Sequence, residues 1–554
     1  MAENANTISR PLKGHRGVFK TAINVAVLFA VLFIVYVALK PLYSVSGVRN
    51  GVVAQAAGIT ATAVVLIAGV VLFVRKRLTV ERAITLLFIS ALIVRITYML
   101  VTPANVRQYD TYVPAGNGHE GYAFYLFDNR AMPDNNGYQF YHPPLNAFIQ
   151  ALFMGVTGGV TKAIESVFGL NEFFATAFDA ARPSFVTPER YYLYGTCQIL
   201  SVVYSYLTME VGYRILKTIG LKGKSLLLWF AFFAFFPRHI MFAATLNNDA
   251  LAYLLSLSAV YFALKWWLGE KKLSTMISCG AAVALGVNAK LSAAVVCLPI
   301  GAVFVFEAIR SFLKKDDALP IKKTLLQYGI FAAVTVPVAL SFIVYAKIRF
   351  DQPLGFVFDN LNPALGTTHH GLFERLFAAF DADEWFATFY LRTFTDESAG
   401  LYNNYNMFNF AVRSAIFGEF GFWQGEGFAF VALISLISLT FVFLAAFVAE
   451  IVRRVADDKK RGTFALQSEQ KSFLFGAALF VAQVAAYVAF YIKMPFSCTM
   501  DFRYVMPLII CAPLLLSGAE GNEKSGFERV MGIVIDINIA VFIAASALFY
   551  LTCI

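Results

Sequence analysis

The stretch RITYMLVTPANVRQYDTYVP, residues 95 to 114, passes from apolar to polar within a few residues. Its first part ends a run of membrane-spanning length, and its second part places Arg107 and Asp110 just past the expected hydrocarbon boundary. Ionisable groups at this depth are costly, and those that membrane proteins keep there tend to have a function. The stretch therefore predicts a membrane helix followed by a functional carboxylate.

The composition of the whole chain agrees with a membrane location. Of 554 residues, 59% are hydrophobic and 14% are charged, and 56 residues are phenylalanine. The interior of a soluble protein could not hold so much apolar surface, so the composition indicates a polytopic membrane protein. The N-terminal segment has no small-residue cleavage site, and we expect it to stay as a cytoplasmic tail. The six cysteines have no C-x-x-C spacing and suggest neither disulfides nor a zinc site.

Apolar runs of about 20 residues predict an all-α fold with about thirteen membrane helices. Their expected positions are 20–40, 51–74, 83–101, 191–216, 225–243, 249–268, 273–289, 291–309, 325–347, 428–450, 472–492, 504–518 and 530–551. The seventh and eighth runs are short and meet at GVNAKLSA, so they fit either two tilted helices or one bent re-entrant pair.

Lysine and arginine set the predicted orientation, because they are enriched in cytoplasmic loops. They cluster in alternate short loops, namely VRKRLTVER, RILKTIGLKGK, KWWLGEKK, RSFLKKDDALPIKK and RRVADDKKRG. We therefore expect the N-terminus inside the cell and the C-terminus outside. The net charge of the chain, +10, fits this pattern, because an excess of lysine and arginine usually marks the cytoplasmic side of a membrane protein. We expect no nucleic-acid partner.

This orientation divides the chain into five segments. They are the tail and first three helices (1–101), a first large extracytoplasmic loop (102–190), the central helices (191–349), a second extracytoplasmic segment (350–427) and the last helices (428–554). In the first loop, PPLNAFIQALFMGVTGGVTKAIESVF has apolar residues at helical spacing and few charges, which predicts a helix lying in the membrane interface. Together the two outer segments should roof a cavity at the outer leaflet.

Polar motifs fall near the same outer boundary in five places: VRQYD, YHPPL, LNNDAL, NAK and KMPFSCTMDFRYVMP. Their candidate site residues are Arg107, Tyr109, Asp110, His142, Asn247, Asn248, Asp249, Lys290, Lys493, Asp501, Arg503 and Tyr504. Lysine and arginine bind phosphate through charge-assisted hydrogen bonds, and a nearby carboxylate can take a proton from an acceptor hydroxyl. Together with an outward-facing cavity, these groups indicate transfer of a sugar from a polyprenyl-phosphate carrier.

Some of these residues also have a purely structural interpretation. Asp110 could pair with Arg107 at the helix end. Asn247, Asn248 and Asp249 precede a helix, where Asn and Asp side chains often cap free backbone amides.

A metal site is conceivable from ligand chemistry alone, at His119, Glu120, His369 and His370. No spacing in the chain supports it, so we assign no metal ligand, and no cofactor is expected beyond a conceivable divalent cation.

Three kinds of function fit a chain with many helices and buried charges. The first is the glycosyltransferase. The second is a lipid or oligosaccharide flippase, but transporters usually show paired repeats and interrupted helices near the membrane midplane. Here the charges gather on one side beside large loops, which favours an enzyme. A ligase or polymerase that moves a whole glycan is also an enzyme of this kind.

The order and sidedness of the five motifs resemble the GT-C glycosyltransferase superfamily. The nearest likeness is to the branch with protein O-mannosyltransferases and the aminoarabinose transferase of lipid A, and it extends over residues 83 to 515. The resemblance implies an inverting, multi-pass enzyme of the cell membrane. It would move a sugar from a polyprenyl-phosphate donor to a protein, lipid or cell-wall glycan at the extracytoplasmic face.

The resemblance also implies roles for individual residues. Asp110 matches the catalytic acid of the family, Lys290 a contact to the carrier phosphate, and Arg503 with Tyr504 the late loop over the donor. This chain departs from the family in two ways. The family usually has its acid after the first span, whereas in this chain two spans precede the equivalent helix. The mannosyltransferases often have Asp-Glu where this chain has Tyr109 and Asp110.

Overall fold

The computed structural model is almost entirely helical in the residues that it describes. These are 13–40, 51–108, 110–170, 172–177, 182–315, 318–354, 366–377, 394–396, 401–402, 405–418, 422, 424–461, 468–516 and 526–553. Within these ranges the strands are Phe394–Asp396 and Leu401–Tyr402, which form one antiparallel pair.

The helices follow the apolar runs of the sequence. In chain order they are α1 (Lys13–Leu39), α2 (Gly51–Val74), α3 (Val80–Val101), α4 (His119–Asn129), α5 (Leu145–Phe168), α6 (Phe173–Ala177), α7 (Pro188–Thr196), α8 (Gln198–Thr218), α9 (Gly223–Ala234), α10 (Pro237–Met241), α11 (Asp249–Leu268), α12 (Leu273–Ala289), α13 (Cys297–Phe312), α14 (Ile321–Phe350), α15 (Leu372–Leu376), α16 (Met407–Phe417), α17 (Glu426–Arg461), α18 (Ser468–Lys493), α19 (Cys511–Leu516) and α20 (Gly526–Thr552). Short 3-10 helices lie at Tyr138–Tyr141, Leu291–Val296, Ser497–Met500 and Phe502–Ile510.

Ten helical segments within the described ranges are long and apolar enough to cross a membrane. They are Val52–Val74, Val80–Val101, Leu145–Phe168, Asp249–Leu268, Leu291–Phe312, Ile321–Phe350, Glu426–Arg454, Ser468–Lys493, Ser497–Leu516 and Gly532–Thr552. This finding supports a polytopic membrane protein. Nine of the ten coincide with spans predicted from the sequence, while the predicted number of about thirteen and the orientation stay predictions.

The remaining predicted spans, at 20–40, 191–216, 225–243 and 273–289, are not among these ten segments. One of them, at 225–243, is divided into α9 and α10, because Phe236 has extended backbone angles (φ −63°, ψ 124°) before Pro237. The residue before a proline avoids the helical conformation, so the helix ends there. The short runs at 273–289 and 291–309 form two separate elements, and Lys290 joins them with an extended backbone (φ −160°, ψ 133°).

Helix α5 is the tenth segment of spanning length, although the sequence predicts it to lie in the interface. Its polar residues contact neighbouring elements: Gln150 donates to the Leu246 carbonyl at 2.6 Å, and Thr161 bonds the Tyr192 hydroxyl in α7 at 2.9 Å. Helix α7 directly precedes the longer α8 in the chain. These contacts hold α5 beside α7 and the start of α11, and its interfacial location stays a prediction.

Helix α11 lies in the centre of the bundle, between α8 and α12. Most of its residues are buried, including its first residue Asp249 and its last-turn residues Trp266 and Trp267. The helix is about 30 Å long at 1.5 Å per residue, which matches the thickness of the hydrocarbon core of a bilayer. Polar groups at both of its ends are buried.

Candidate active site

Asp110 reaches its position because the end of α3 is fixed by a buried lysine. The Lys40 ammonium donates to the carbonyls of Met99 and Thr102 at 2.5 and 2.7 Å and to the Gln198 side chain at 3.2 Å. The last carbonyls of a helix have no partner within the helix, so an inserted cation stabilises its end. The chain then leaves α3 at a defined point, nine residues before Asp110.

A tight loop brings His119 back to Asp110. The His119 amide donates to the Asp110 carbonyl at 3.0 Å, and the next amide, of Glu120, donates to the Thr111 carbonyl at 3.0 Å. Glycine makes this loop possible. A Cβ on Gly118 would lie 2.9 Å from the Asp110 carbonyl oxygen, and one on Gly121 would lie 1.8 Å from that of Gly116. The motif PAGNG before His119 thus lets two backbone segments approach closely.

Two side chains lie close to one oxygen of the Asp110 carboxylate. Oδ2 lies 3.3 Å from His119 Nε2 and 3.3 Å from Gln139 Nε2, while 29% of the side chain stays exposed. Burial opposes ionisation, but the charge and hydrogen bond of His119, with the charge of Arg503, hold the pKa of Asp110 well below its usual range. Asp110 is therefore a carboxylate at neutral pH.

His142 stacks on His119 at the same place. The two ring centroids are 5.9 Å apart with planes 11° from parallel. Burial, followed by the charges of His119 and Lys290, lowers the pKa of His142 well below its usual value. His142 is consequently neutral at pH 7, and it can donate or accept one hydrogen bond from each nitrogen according to its tautomer.

A second group of residues lies at the start of α11. The Lys290 ammonium bonds Asp249 Oδ1, and Arg503 Nη1 lies 4.0 Å from Asp249 Oδ2. Both cations also lie near one aromatic ring, since Tyr504 has its centroid 4.9 Å from Lys290 Nζ and 5.2 Å from Arg503 Cζ. We call Asp249, Lys290, Arg503 and Tyr504 the cation cluster. It has two positive charges for one negative charge.

The cation cluster borders a small pocket that continues along α11. The empty space of this pocket, part of which is open to solvent, is about 320 Å³, and Asp249, Arg503 and Tyr504 line it together with Tyr253, Ser256, Ser292 and Gln483. Asp249 Oδ2 and the Tyr253 hydroxyl are buried and carry no hydrogen bond within the described residues. Such groups are costly to bury without a partner, which indicates a site that a polar ligand or water can complete.

Arg503 is positioned by a buried ion pair that begins in α10. Asp501 accepts from the Arg503 amide at 2.8 Å, which caps the 3-10 helix, and its other oxygen accepts from Arg238 Nη2 at 2.6 Å. Both side chains of the ion pair are almost fully buried. Gly418, at φ +63°, leaves the room for Arg238, because a Cβ there would lie 2.1 Å from Nη1. Asp501 therefore fixes the loop instead of facing a substrate.

The Asp110 loop and the cation cluster form one site. The charge of Arg503 acts on Asp110, and the charges of Lys290 and Asp249 act on His142. These residues come from chain segments that are far apart in sequence: Asp249 begins α11, Lys290 directly follows α12, and Arg503 lies in the 3-10 helix Phe502–Ile510. Of the predicted residues, the structure brings together Asp110, His142, Asp249, Lys290, Arg503 and Tyr504.

Other predicted residues lie apart from this group. Arg107 has 7% of its surface exposed, stacks on the Phe422 ring at 3.9 Å and donates to the Thr102 hydroxyl at 3.4 Å. Within the described residues it forms no ion pair with Asp110, so the alternative of an Arg107–Asp110 pair is wrong and His119 is the partner. Lys493 is exposed at the end of α18, and no ion pair to the cation cluster was found for it in the part of the chain that is described.

Two asparagines and one tyrosine complete the predicted set. Asn247 accepts from the Asp249 amide at 3.1 Å, which is the capping role considered from the sequence. Asn248 is buried at the N-cap position, but its side chain makes no capping hydrogen bond. Tyr109 lies outside the described residues.

Sequence reasoning missed three residues of the site. His119 appeared as a conceivable metal ligand, while Gln139 and Arg238 carried no visible signal. The glycine-containing turn before His119 was the one local sign that the chain folds back on Asp110. Among the described residues, no group of three or more His, Cys, Asp or Glu side chains is placed to hold a metal ion. Glu120 instead bonds Arg190 at 2.7 Å.

Comparisons with known proteins do not extend these observations. Neither protein-family models nor curated proteins give a match to the chain, so the resemblance to GT-C enzymes rests on the motifs.

Proposed function

We propose that this protein is a membrane glycosyltransferase that moves a sugar from a polyprenyl-phosphate donor to an acceptor hydroxyl. The observation that carries the proposal is that an ionised carboxylate, Asp110, shares a site with two cations, Lys290 and Arg503, which both lie beside Asp249. A lipid phosphate can reach such a site, because its lipid chain stays in the membrane while its phosphate head group lies at the membrane boundary.

The cations are suited to the leaving group. As the bond between the anomeric carbon and the phosphate oxygen breaks, the electron pair remains on that oxygen and adds negative charge to the phosphate. Lys290 and Arg503 provide charge-assisted hydrogen bonds to such a group, and the partly buried site strengthens them. Asp249 holds Lys290 in place before the donor arrives, so the cations are positioned in advance.

Asp110 is suited to the acceptor. Its side chain is 29% exposed, so the carboxylate is open to a hydrogen bond from an acceptor hydroxyl. The hydroxyl oxygen bonds to the anomeric carbon on the side opposite the phosphate, and its proton moves to Asp110. A single displacement of this kind inverts the anomeric configuration, as the family resemblance also implies. The acceptor, whether a protein, a lipid or a cell-wall glycan, would be an extracytoplasmic one in the predicted orientation.

The test is transfer of label by the purified full-length protein in liposomes. Undecaprenyl phosphate carrying radiolabelled mannose, glucose, N-acetylglucosamine or 4-amino-4-deoxyarabinose serves as donor, and solubilised envelope material from the source serves as acceptor. General base catalysis contributes about 10²- to 10⁴-fold, so Asp110→Asn should lower the rate by about 10³-fold without loss of folded protein. Transfer at the full rate by Asp110→Asn would disprove the role of Asp110.

The flippase alternative has its own outcome in the same liposomes. A flippase would move labelled donor between leaflets and leave the sugar on its carrier. Translocation of undecaprenyl-phosphate sugar without any labelled product from any donor would therefore replace the transferase proposal.

A further inference from the structure

Four polar side chains inside the helical bundle line the pocket beside the cation cluster without a hydrogen bond to any described residue. They are Tyr253 and Ser256 of α11, Ser292 of the 3-10 helix that begins at Leu291, and Gln483 of α18. Gln483 is 2% exposed and Tyr253 is 5% exposed. Proteins bond nearly all of their buried polar groups, so four such side chains around one space indicate a ligand that supplies hydrogen bonds.

Two serines of α11 show the contrast between this pocket and the rest of the helix. Ser258 donates to the Leu254 carbonyl at 2.8 Å, which is the usual bond of a serine inside a helix. Ser256 is 6% exposed, and within the described part of the chain its hydroxyl makes no bond of this kind. Asp249, Tyr253 and Ser256 follow one another at spacings of four and three residues, so they share one face of α11. The polar groups of this face are therefore left for a molecule in the pocket.

The pocket begins at the place where the donor phosphate would bind. Asp249, Arg503 and Tyr504 belong to the cation cluster and also line the pocket. Ser256 lies two turns further along the helix, about 10 Å from the level of Asp249. In a polyprenyl-phosphate donor the anomeric carbon is joined directly to a phosphate oxygen, so the sugar ring reaches this depth when the cluster holds the phosphate. The apolar lipid chain is unsuited to the same space, because it would leave every polar group there without a partner.

The charges around the pocket favour one class of sugar. Lys290 bonds Oδ1 of Asp249, and Arg503 Nη1 lies 4.0 Å from Oδ2, so two cations already offset the charge of this acid. The ammonium group of an amino sugar would lie near both cations, and the carboxylate of a uronic acid would lie near Asp249. A neutral hydroxyl has neither disadvantage. It can donate to Asp249 Oδ2 and accept from the amide of Gln483.

We propose that this pocket binds the sugar of the donor and selects a neutral sugar with several hydroxyl groups. Gln483 and Tyr253 would contact those hydroxyls and thereby determine specificity. The inference rests on the proposed function for the identity of the lipid-linked ligand, but it concerns binding alone and involves no chemical step. A pocket built to bond hydroxyls rejects an analogue that lacks them, because its own buried polar groups then stay unbonded.

The experiment measures binding by native mass spectrometry of the full-length protein in detergent. The ligands are undecaprenyl phosphate esters of mannose, glucose and 4-amino-4-deoxyarabinose, together with undecaprenyl methyl phosphate. The methyl ester has the same single phosphate charge as the donors and no sugar. Several hydrogen bonds of about threefold each should make mannose or glucose lipid bind at least about tenfold more tightly than the methyl ester. The amino sugar lipid should bind more weakly than the preferred neutral one.

Two variants locate the sugar in the pocket. Gln483→Leu removes the amide, so affinity for the preferred sugar lipid should fall at least about fivefold, while affinity for the methyl ester changes less than about twofold. Tyr253→Phe removes a single hydroxyl and should act in the same direction, which keeps the test valid if Gln483→Leu does not fold. Gln470→Leu makes the same change at the other end of α18 and should leave both affinities at the wild-type values.

The outcomes separate this inference from the proposed function. Equal wild-type affinity for sugar lipids and methyl ester would mean that the pocket holds water and no sugar. Wild-type affinity for the sugar lipid in folded Gln483→Leu and Tyr253→Phe would likewise overturn the sugar site, and tightest binding of the amino sugar lipid would overturn the selection of a neutral sugar. A wild-type protein that binds sugar lipid through Gln483 but transfers no sugar would instead disprove the transferase and leave the sugar site intact.

Discussion

The two ends of α11 each carry a buried acid with two basic partners, but they differ in how fully the acid is bonded. At its first residue, Asp249 bonds Lys290 through one oxygen, and its second oxygen has no hydrogen bond within the described residues. Beyond its last residue, Glu307 of α13 accepts from Lys271 at 2.5 Å, from Trp267 at 2.8 Å and from Arg310 at 3.1 Å. We call this second group the saturated cluster.

The difference separates a structural ion cluster from a ligand site with the same charges. Both clusters have one acid and two bases, so charge alone does not distinguish them. In the saturated cluster the donors satisfy both oxygens of the acid, as a stable buried ion pair requires. In the cation cluster an acid oxygen stays open beside a pocket, and a buried group of this kind indicates a place for a ligand.

The largest effect on stability is expected at the saturated cluster. Glu307→Gln leaves Lys271 and Arg310 buried without their counter-charge, and breaking a buried ion pair costs about 3–5 kcal/mol. The midpoint of thermal unfolding in detergent should fall clearly, while the folded fraction keeps its rate of sugar transfer. Glu210→Gln is the matched control, since Glu210 pairs with Arg214 in an exposed position and should cost at most about 1 kcal/mol. An unchanged midpoint for Glu307→Gln would remove the contrast between the two ends of α11.

The second-largest effect is expected at the cation cluster, where a substitution should weaken binding of the donor phosphate and not the stability of the fold. Lys290→Met keeps the apolar stem and removes the charge. A hydrogen bond to a charged group contributes about 1.5–3 kcal/mol, so affinity for undecaprenyl phosphate should fall by about 10- to 100-fold. Native mass spectrometry or quenching of tryptophan fluorescence in detergent can measure it. Lys265→Met, at the other end of α11, is the control and should bind like wild type. Equal affinity for both variants would show that the cation cluster is not the phosphate site.

The same contrast shows what the sequence could predict. Apolar runs predicted the helices closely, because length and hydropathy are local properties. The outer motifs also predicted a meeting of Asp110, Asp249, Lys290 and Arg503, since the alternation of cationic loops puts them on one side. Local patterns could not predict which side chains that are far apart in sequence bond each other. The bond from Arg238 to Asp501 joins residues 263 positions apart, and no local pattern marks it.

Errors in the predicted site have the same origin. Periodicity and sidedness bring residues to one membrane boundary, but they do not determine which side chains face each other there. Arg107 and Asp110 are three residues apart, yet Arg107 turns to the Phe422 ring, with a positive φ of 61° at its own backbone. A left-handed residue in the loop redirects the chain, and a non-glycine residue in that conformation is uncommon. Closeness in sequence therefore did not predict the partner of the Asp110 carboxylate.

The smallest effect is expected for a lysine that the sequence placed with the donor site. Lys493 ends α18 as an exposed side chain, in contrast to Lys290, whose side chain is only 11% exposed and bonds Asp249. An exposed cation is well solvated and screened by salt, so its attraction to a phosphate is weak. Lys493→Met should therefore change the affinity for undecaprenyl phosphate by less than about twofold at physiological salt. A loss of affinity as large as that of Lys290→Met would mean that donor binding draws Lys493 into the cation cluster. Burial in the donor-free protein would then not distinguish the lysines that bind phosphate from other lysines.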